Sequence, residues 1–271
     1  MLALFAGSAL LAPLVAHAAA PAMLIDKPGA YVLAQDVMVA GGDAIMITAN
    51  GVTLDLGGHN VYITTPGQGR GIVVQGAKGV RITNGKVHFF AVNVSLQNCE
   101  NVTVDGLQIV GANLALNGAK GNAADPLASG GPGFSEVGVL LLDTRGAVVK
   151  NNTITSESAG IFNRGGGSTG SLFEGNTITG GPTSANNFLA ICFNPIPSEG
   201  TAGPSACVAE GNHIARYTYG FAYQGVENGN ISRSNTLATW MDAYFYPDAN
   251  ADNNKKQTTI VDDTVVQLPA P

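Results

Sequence analysis

Charge is scarce in this chain: only 12% of its 271 residues are Asp, Glu, Lys or Arg, and Lys plus Arg number 13. With a net charge of −6 and no basic run longer than Lys255–Lys256, the sequence offers no general grip on nucleic acid. Leu, Glu, Lys and Arg, the strong helix formers, are too thin for a helical bundle. After residue 20 no apolar segment is long enough to span a bilayer. Aromatics make up 7%, with one Trp, and there are only three Cys, so at least one thiol stays outside any internal disulfide.

What is abundant is Gly (36 residues) and Asn (23 residues), set among Val, Ile and Thr. A hydrophobic fraction of 45% is enough for a packed core, so this is an all-β chain with very many turns. Its length suits one large domain or two small ones.

Residues Leu2 to Val15 are almost wholly apolar and are followed by Ala16-His17-Ala18, a small-x-small cleavage pattern. Residues 1–18 are therefore expected to be a signal peptide, although no Lys or Arg precedes the apolar run. A secreted or periplasmic location follows as an expectation. Export would permit a disulfide between Cys192 and Cys207, which flank a Pro- and Gly-rich stretch and leave Cys99 over as a small buried residue.

An internal repeat carries the architecture. VTLDLGGHNVYI, VRITNGKVHFF, VTVDGLQIVG, AVVKNNTITS, SLFEGNTITG, CVAEGNHIAR, NISRSNTLAT and TIVDDTVVQL share one pattern, a β-branched strand, a polar corner and a second strand. The second-strand anchors are Val61, Val87, Ile109, Ile154, Ile178, Ile214, Leu237 and Val265, and the shortest spacing between them is 22 residues. A further strand precedes each unit. Three short strands per 22 residues cannot bury a face alone but close a core when stacked, as in a solenoid. The fold expected for residues 19–271 is a single-stranded right-handed parallel β-helix of about eight rungs.

Asn152, Asn176, Asn212 and Asn235 each fall two residues before an anchor, with Asp263 and His59 in matching slots. They read as a structural ladder: Asn tolerates the left-handed corner, and its amide bonds its equivalent one rung up. Asp55 and His59 suggest acid–base or metal chemistry, but a corner-bonding role fits them better.

PGAYVLAQDVMVAGGDAIMITANGVTLDLGGHNV followed by GIVVQGAKGVRITNGKVHFF resembles the opening of right-handed parallel β-helix repeat proteins of the pectin-lyase-like superfamily. The resemblance covers residues 24–268 and implies the fold more than the activity. The superfamily contains polysaccharide lyases, uronan epimerases, glycoside hydrolases, tailspike depolymerases and proteins without known catalysis.

Insertions at 112–136, 181–188, 194–206 and 247–257 all flank the first-strand sheet of the C-terminal five rungs, where a groove would be walled. With Val139, Ile161, Ile191, Phe221 and Ala243 taken as inward, alternation turns Leu140, Leu142, Phe162, Arg164, Cys192, Asn194, Ala222, Gln224, Tyr244 and Tyr246 outward. Arg216, Tyr217, Tyr219, Trp240 and Asp242 lie in adjacent corners. Aromatic rings with amide and guanidinium groups suit a carbohydrate.

Elimination on a uronic-acid polymer needs a neutralising cation, a base and an acid; Arg164, Tyr244, Tyr246 and His213 are the candidates. Phe162, Gln224, Arg216, Tyr217, Tyr219, Trp240 and Asp242 would bind the substrate. No row of carboxylates specifies Ca²⁺, so no metal or other cofactor is assigned. Hydrolysis needs two carboxyls at a set separation, and Asp242, Asp248 and Glu157 do not supply them on neighbouring rungs. The Asp-Asp, Gly-His-Gly and Arg-x-Lys motifs of polygalacturonases are not matched, nor are the Arg-x-Pro-x-x-Arg and Asp-Pro-His-Asp motifs of other relatives. A polysaccharide lyase is the favoured reading. A non-catalytic glycan-binding or envelope β-helix, or a hydrolase, is the alternative. An ice-binding face is discounted, because the Thr residues read as scattered over corners.

Overall fold

A computed structural model describes residues 20–112, 136–155, 158–181, 189–194, 202–223, 226–246 and 258–269. The expected signal peptide, the 247–257 insertion and nearly all of the 112–136 and 181–188 insertions lie outside these residues, as do Glu157, Gln224 and Asp248. The chain winds through three stacks of short strands, and every strand pairing is parallel. The first sheet begins with Met23–Ile25 and runs through Phe90–Gln97, Val137–Leu142, Ala159–Arg164 and Leu189–Asn194 to the second halves of His213–Tyr223 and Thr236–Phe245. The second sheet starts at Gly29–Val32 and ends at Thr259–Val261, and the third runs from Val37–Val39 to Thr264–Gln267.

The third sheet shows why the repeat folds this way. Its register joins Val37 to Val61, then Val87, Ile109, Ile154, Ile178, Ile214, Leu237 and Val265, so each expected anchor sits directly above the one before it. All from Val61 to Leu237 are buried, each contributing roughly 1.5–3 kcal/mol of apolar transfer. The eight expected coils are preceded by one more, built from Met23–Ile25, Gly29–Val32 and Val37–Val39. Within the described part of the 194–206 insertion, Ala202–Ser205 pairs with Val226–Asn228 in a separate two-stranded sheet.

The corner between the second and third sheets divides two tasks between neighbouring residues. Asn152, Asn176, Asn212 and Asn235 form the ladder: each side-chain Nδ2 donates to the next oxygen at 2.9 to 3.0 Å, and the run ends on Asp263 Oδ1. Each backbone N–H donates to the same oxygen, and each Nδ2 also reaches a main-chain carbonyl. The left-handed turn, expected of these asparagines, belongs instead to the residue before each one: Asn151, Gly175, Gly211, Ser234 and Asp262 have φ between 54° and 61°. A side chain held inward to bond its neighbour needs ordinary φ, so the turn falls to the preceding residue.

His59 is not part of the ladder; its ring faces Asp36 at 3.2 Å. Upstream of Asn152 the slot is apolar. Leu107 sits there, and at Gly85 an added Cβ would lie 2.3 Å from Leu56 Cβ. Asp55 is structural, accepting from Gly57 N and Asn84 Nδ2 at 2.8 Å each. The threonines of the two TIT repeats are not in corners: Thr153 and Thr155 lie in register with Thr177 and Thr179 in third-sheet strands.

Candidate functional site

The first sheet departs from simple alternation, and the departure decides which aromatics face a ligand. Each of its C-terminal strands turns two consecutive residues inward, a small one and then a large one: Gly160-Ile161, Ala190-Ile191 and Gly220-Phe221. A Cβ at Gly160 would lie 2.5 Å from Ile178 Cγ2, so the third-sheet anchor occupies the space a larger residue would need. Ala243-Tyr244 continues the series, because the register pairs Phe221 with Tyr244 and Ala222 with Phe245. Tyr244 and Tyr246 were expected to face outward; both instead pack on the core. Tyr244 stacks on Phe221 at 5.9 Å, and Tyr246 stacks on Tyr223, which stacks in turn on Phe193 at 5.1 Å.

Outward on this sheet is a second apolar cluster of Val92, Val137, Leu140, Ala159, Phe162, Leu189, Cys192 and Ala222. It is buried rather than open: Phe162 is 7% exposed, and Arg164, at the end of the same strand, 6%. The cluster reaches solvent at its C-terminal edge, where half-buried Tyr219 and Phe245 stack at 4.5 Å with ring planes 30° apart. Exposed Asp242 lies in register with Tyr219. Burial, and then the Asp242 charge, push the Tyr219 phenol above its ordinary range.

The remaining expected site residues are dispersed. Tyr217 is buried in the inner core. Arg216 is exposed at the corner leading into the first sheet, with φ of 59°. His213 is exposed on a different face, the outside of the third sheet, between Thr177 and Thr236. Trp240 is half-buried, and its carbonyl accepts from Gln267 Nε2 at 2.6 Å. Arg164, Tyr244, Tyr246 and His213 therefore do not converge, whereas Phe162, Tyr219 and Asp242 share one face. Phe245 was missed. Its signal was the small-large pair Ala243-Tyr244, which aligns with Gly220-Phe221 and turns Phe245 outward.

Cys192 and Cys207 are not joined. Cys192 belongs to the outer cluster and Cys207 to the inner core, so the wall of the first sheet's strand layer separates their side chains. Cys99, as expected, is a buried thiol. Among the described residues no group of three or more His, Cys, Asp or Glu is placed to hold a metal, and no helix is long and apolar enough to cross a membrane.

No protein-family model matches the chain, and no curated protein matches it in sequence. Several solved structures match it in shape. A mutant DFA-IIIase from Arthrobacter chlorophenolicus in complex with DFA-III is 9% identical, with a TM-score of 0.46 over 84% of this chain and 63% of that one. The alginate lyase from Paenibacillus sp. str. FPU-7 is 12% identical, with a TM-score of 0.42 over 86% and 99%. The endo-xylogalacturonan hydrolase from Aspergillus tubingensis is 9% identical, with a TM-score of 0.37 over 92% and 91%. The likeness is one of fold. The chain is a parallel β-helix by its own strand register, and no residue role is carried across from these structures.

Proposed function

We propose that this β-helix is a secreted or periplasmic carbohydrate-active protein that holds a polysaccharide against the C-terminal edge of its first sheet. The observation that carries the reading is the half-exposed Tyr219–Phe245 stack beside the exposed Asp242 carboxylate. Aromatic rings offer their faces to sugar C–H groups, and a carboxylate accepts from sugar hydroxyls. Binding is what this geometry supports best, because the residues expected to act as acid and base are spread over the core and two outer faces.

A second reading, cleavage of a uronic-acid polymer by β-elimination, is favoured by Tyr219. Its phenol can donate a proton to a leaving oxygen, and Arg216 is an exposed cation three residues before it.

The test is a panel of anionic and neutral polysaccharides, followed by affinity electrophoresis, unsaturated-product absorbance and reducing ends. Retardation by a polymer, reduced at least fivefold in Phe245→Ala with the fold intact by circular dichroism, supports the binding site. New ends with absorbance add the lyase step. Migration unaffected by every polymer overturns the proposal.

A further inference from the structure

The first and last described coils are finished differently. In the first, the inward residues are covered: Ile25 is 1% and Leu33 8% exposed, and the Tyr31 hydroxyl donates to the Lys27 carbonyl at 2.9 Å. The exposed Val32 and Met38 of that coil point away from the core, in register with Asp55 and Tyr62. In the last coil it is the inward residues that are uncovered. Ile260 lies in register with buried Ser232, and Val265 with buried Leu237, yet they are 43% and 50% exposed. Outward Val261 and Val266 beside them are exposed as well. Neither Thr259–Val261 nor Thr264–Gln267 has a second neighbouring strand among the described residues, and neither contains a charged residue. An uncharged apolar edge with its main-chain groups open on one side is a template for another strand.

Two features decide which strand suits this edge. The amide ladder stops here on Asp263 Oδ1, and a carboxylate has no N–H to hand to a following coil of the same sense. Charge points the same way. A second copy stacked in parallel would set its Val37 over Val265, continuing the anchor column, and would bring its Asp36 alongside Asp263. An antiparallel approach of the edge to itself avoids both faults. With a twofold axis through Val265 at right angles to the sheet, inward residues remain inward in both copies. Val265 then meets its own twin, Val266 meets Thr264, Asp263 meets Gln267 and Asp262 meets Leu268, so no like charges face each other.

We propose that the last coil is the interface of a closed dimer, in which Thr264–Gln267 pairs antiparallel with the same strand of a second copy. The pairing covers the two Val265 side chains that the single chain leaves half open. It uses the same patch on both copies, so assembly stops at two. It does not rest on the polysaccharide reading.

The test is sedimentation velocity of the full chain over a concentration series. The expected result is a monomer–dimer equilibrium with no larger species. Val266→Lys sets two lysines at diagonal positions across the axis and should weaken dimerisation at least tenfold, with the circular dichroism spectrum unchanged. Mixing it with Val266→Glu should restore the dimer. Met38→Lys, on the first coil, should dimerise as wild type does. Should Val266→Lys fail to fold, amide exchange of wild-type residues 259–268 decides, and it should slow as concentration rises. A monomer at every concentration, growth beyond two copies, Val266→Lys dimerising like wild type, Met38→Lys abolishing assembly, or exchange independent of concentration would each overturn the proposal.

Discussion

The Tyr244 hydroxyl donates to Asp263 Oδ2 at 2.6 Å, and this bond closes the last coil of the helix. Asp263 also accepts from Ser232 Oγ and from both the backbone and the side chain of Asn235. An asparagine in this position would present an amide N–H₂ with no further rung among the described residues to receive it. A carboxylate only accepts, so it ends the ladder without an orphan donor.

Removing that hydroxyl costs stability and spares binding. Tyr244→Phe should lose about 1.5–3 kcal/mol, the worth of a hydrogen bond to a charged group, read as a lower urea midpoint at unchanged slope. Polysaccharide retardation should stay at the wild-type level. A variant as stable as wild type, but defective in binding, would return Tyr244 to the ligand site.

The same bond sets an alkaline limit. Burial first, and then the bond to Asp263, raise the Tyr244 phenol far above its ordinary value. A group whose folded-state pKa is raised gives its full stabilisation below the unfolded value, about 10 for tyrosine, and loses it progressively above that value. Thermal denaturation of wild type should therefore fall off above about pH 10, and Tyr244→Phe should flatten that part of the profile. Parallel curves for the two proteins would refute the assignment.

The interior of the ladder should be far less tolerant than its end. Asn212 takes bonds from Asn176 N and Nδ2 and gives bonds to Asn235 Oδ1 and the Phe173 carbonyl. Asn212→Ala leaves the Asn176 backbone N–H and one of its two Nδ2 hydrogens buried without an acceptor, and takes a donor from Asn235 Oδ1 and the Phe173 carbonyl. At about 1–3 kcal/mol for each unsatisfied group, a loss of about 3–5 kcal/mol is expected in chemical denaturation. A loss under about 1 kcal/mol would mean that the coil re-pairs without the ladder.

The third sheet could be read from the sequence because a single branched aliphatic anchor per coil, Val61 through Leu237, stands between two outward residues and keeps the two-residue period intact. The first sheet could not, because Gly160-Ile161 and its successors place two inward residues side by side and break that period. In the last coil the run Ala243-Tyr244-Phe245-Tyr246 is aromatic on both faces, so composition gave no sign of the one-residue shift. The corner asparagines were identified correctly as a ladder, but bonding and turning are separate tasks, and only dihedral angles assign the turn to Asn151 or Ser234. His59 suggested a link to Asp55 in sequence, yet its partner is Asp36, a coil earlier.

Two glycine substitutions separate crowding from backbone strain. At Gly160 an added Cβ would lie 2.5 Å from Ile178 Cγ2 and 2.7 Å from the Ala190 carbonyl oxygen, and its φ is not in the left-handed region. Gly170 has φ of +66° and no atom within 4 Å of an added Cβ. Gly160→Ala should cost about 1–3 kcal/mol through overpacking, and Gly170→Ala about 1–2 kcal/mol through the left-handed conformation. Trimming the neighbour distinguishes the causes. Ile178→Ala removes that Cγ2, so together with Gly160→Ala it should cost less than the sum of the two single losses, because the two side chains compete for the same space. Added to Gly170→Ala it should only subtract further. Equal penalties in both backgrounds would show that the small-large pairing is not what sets the inward face of the first sheet.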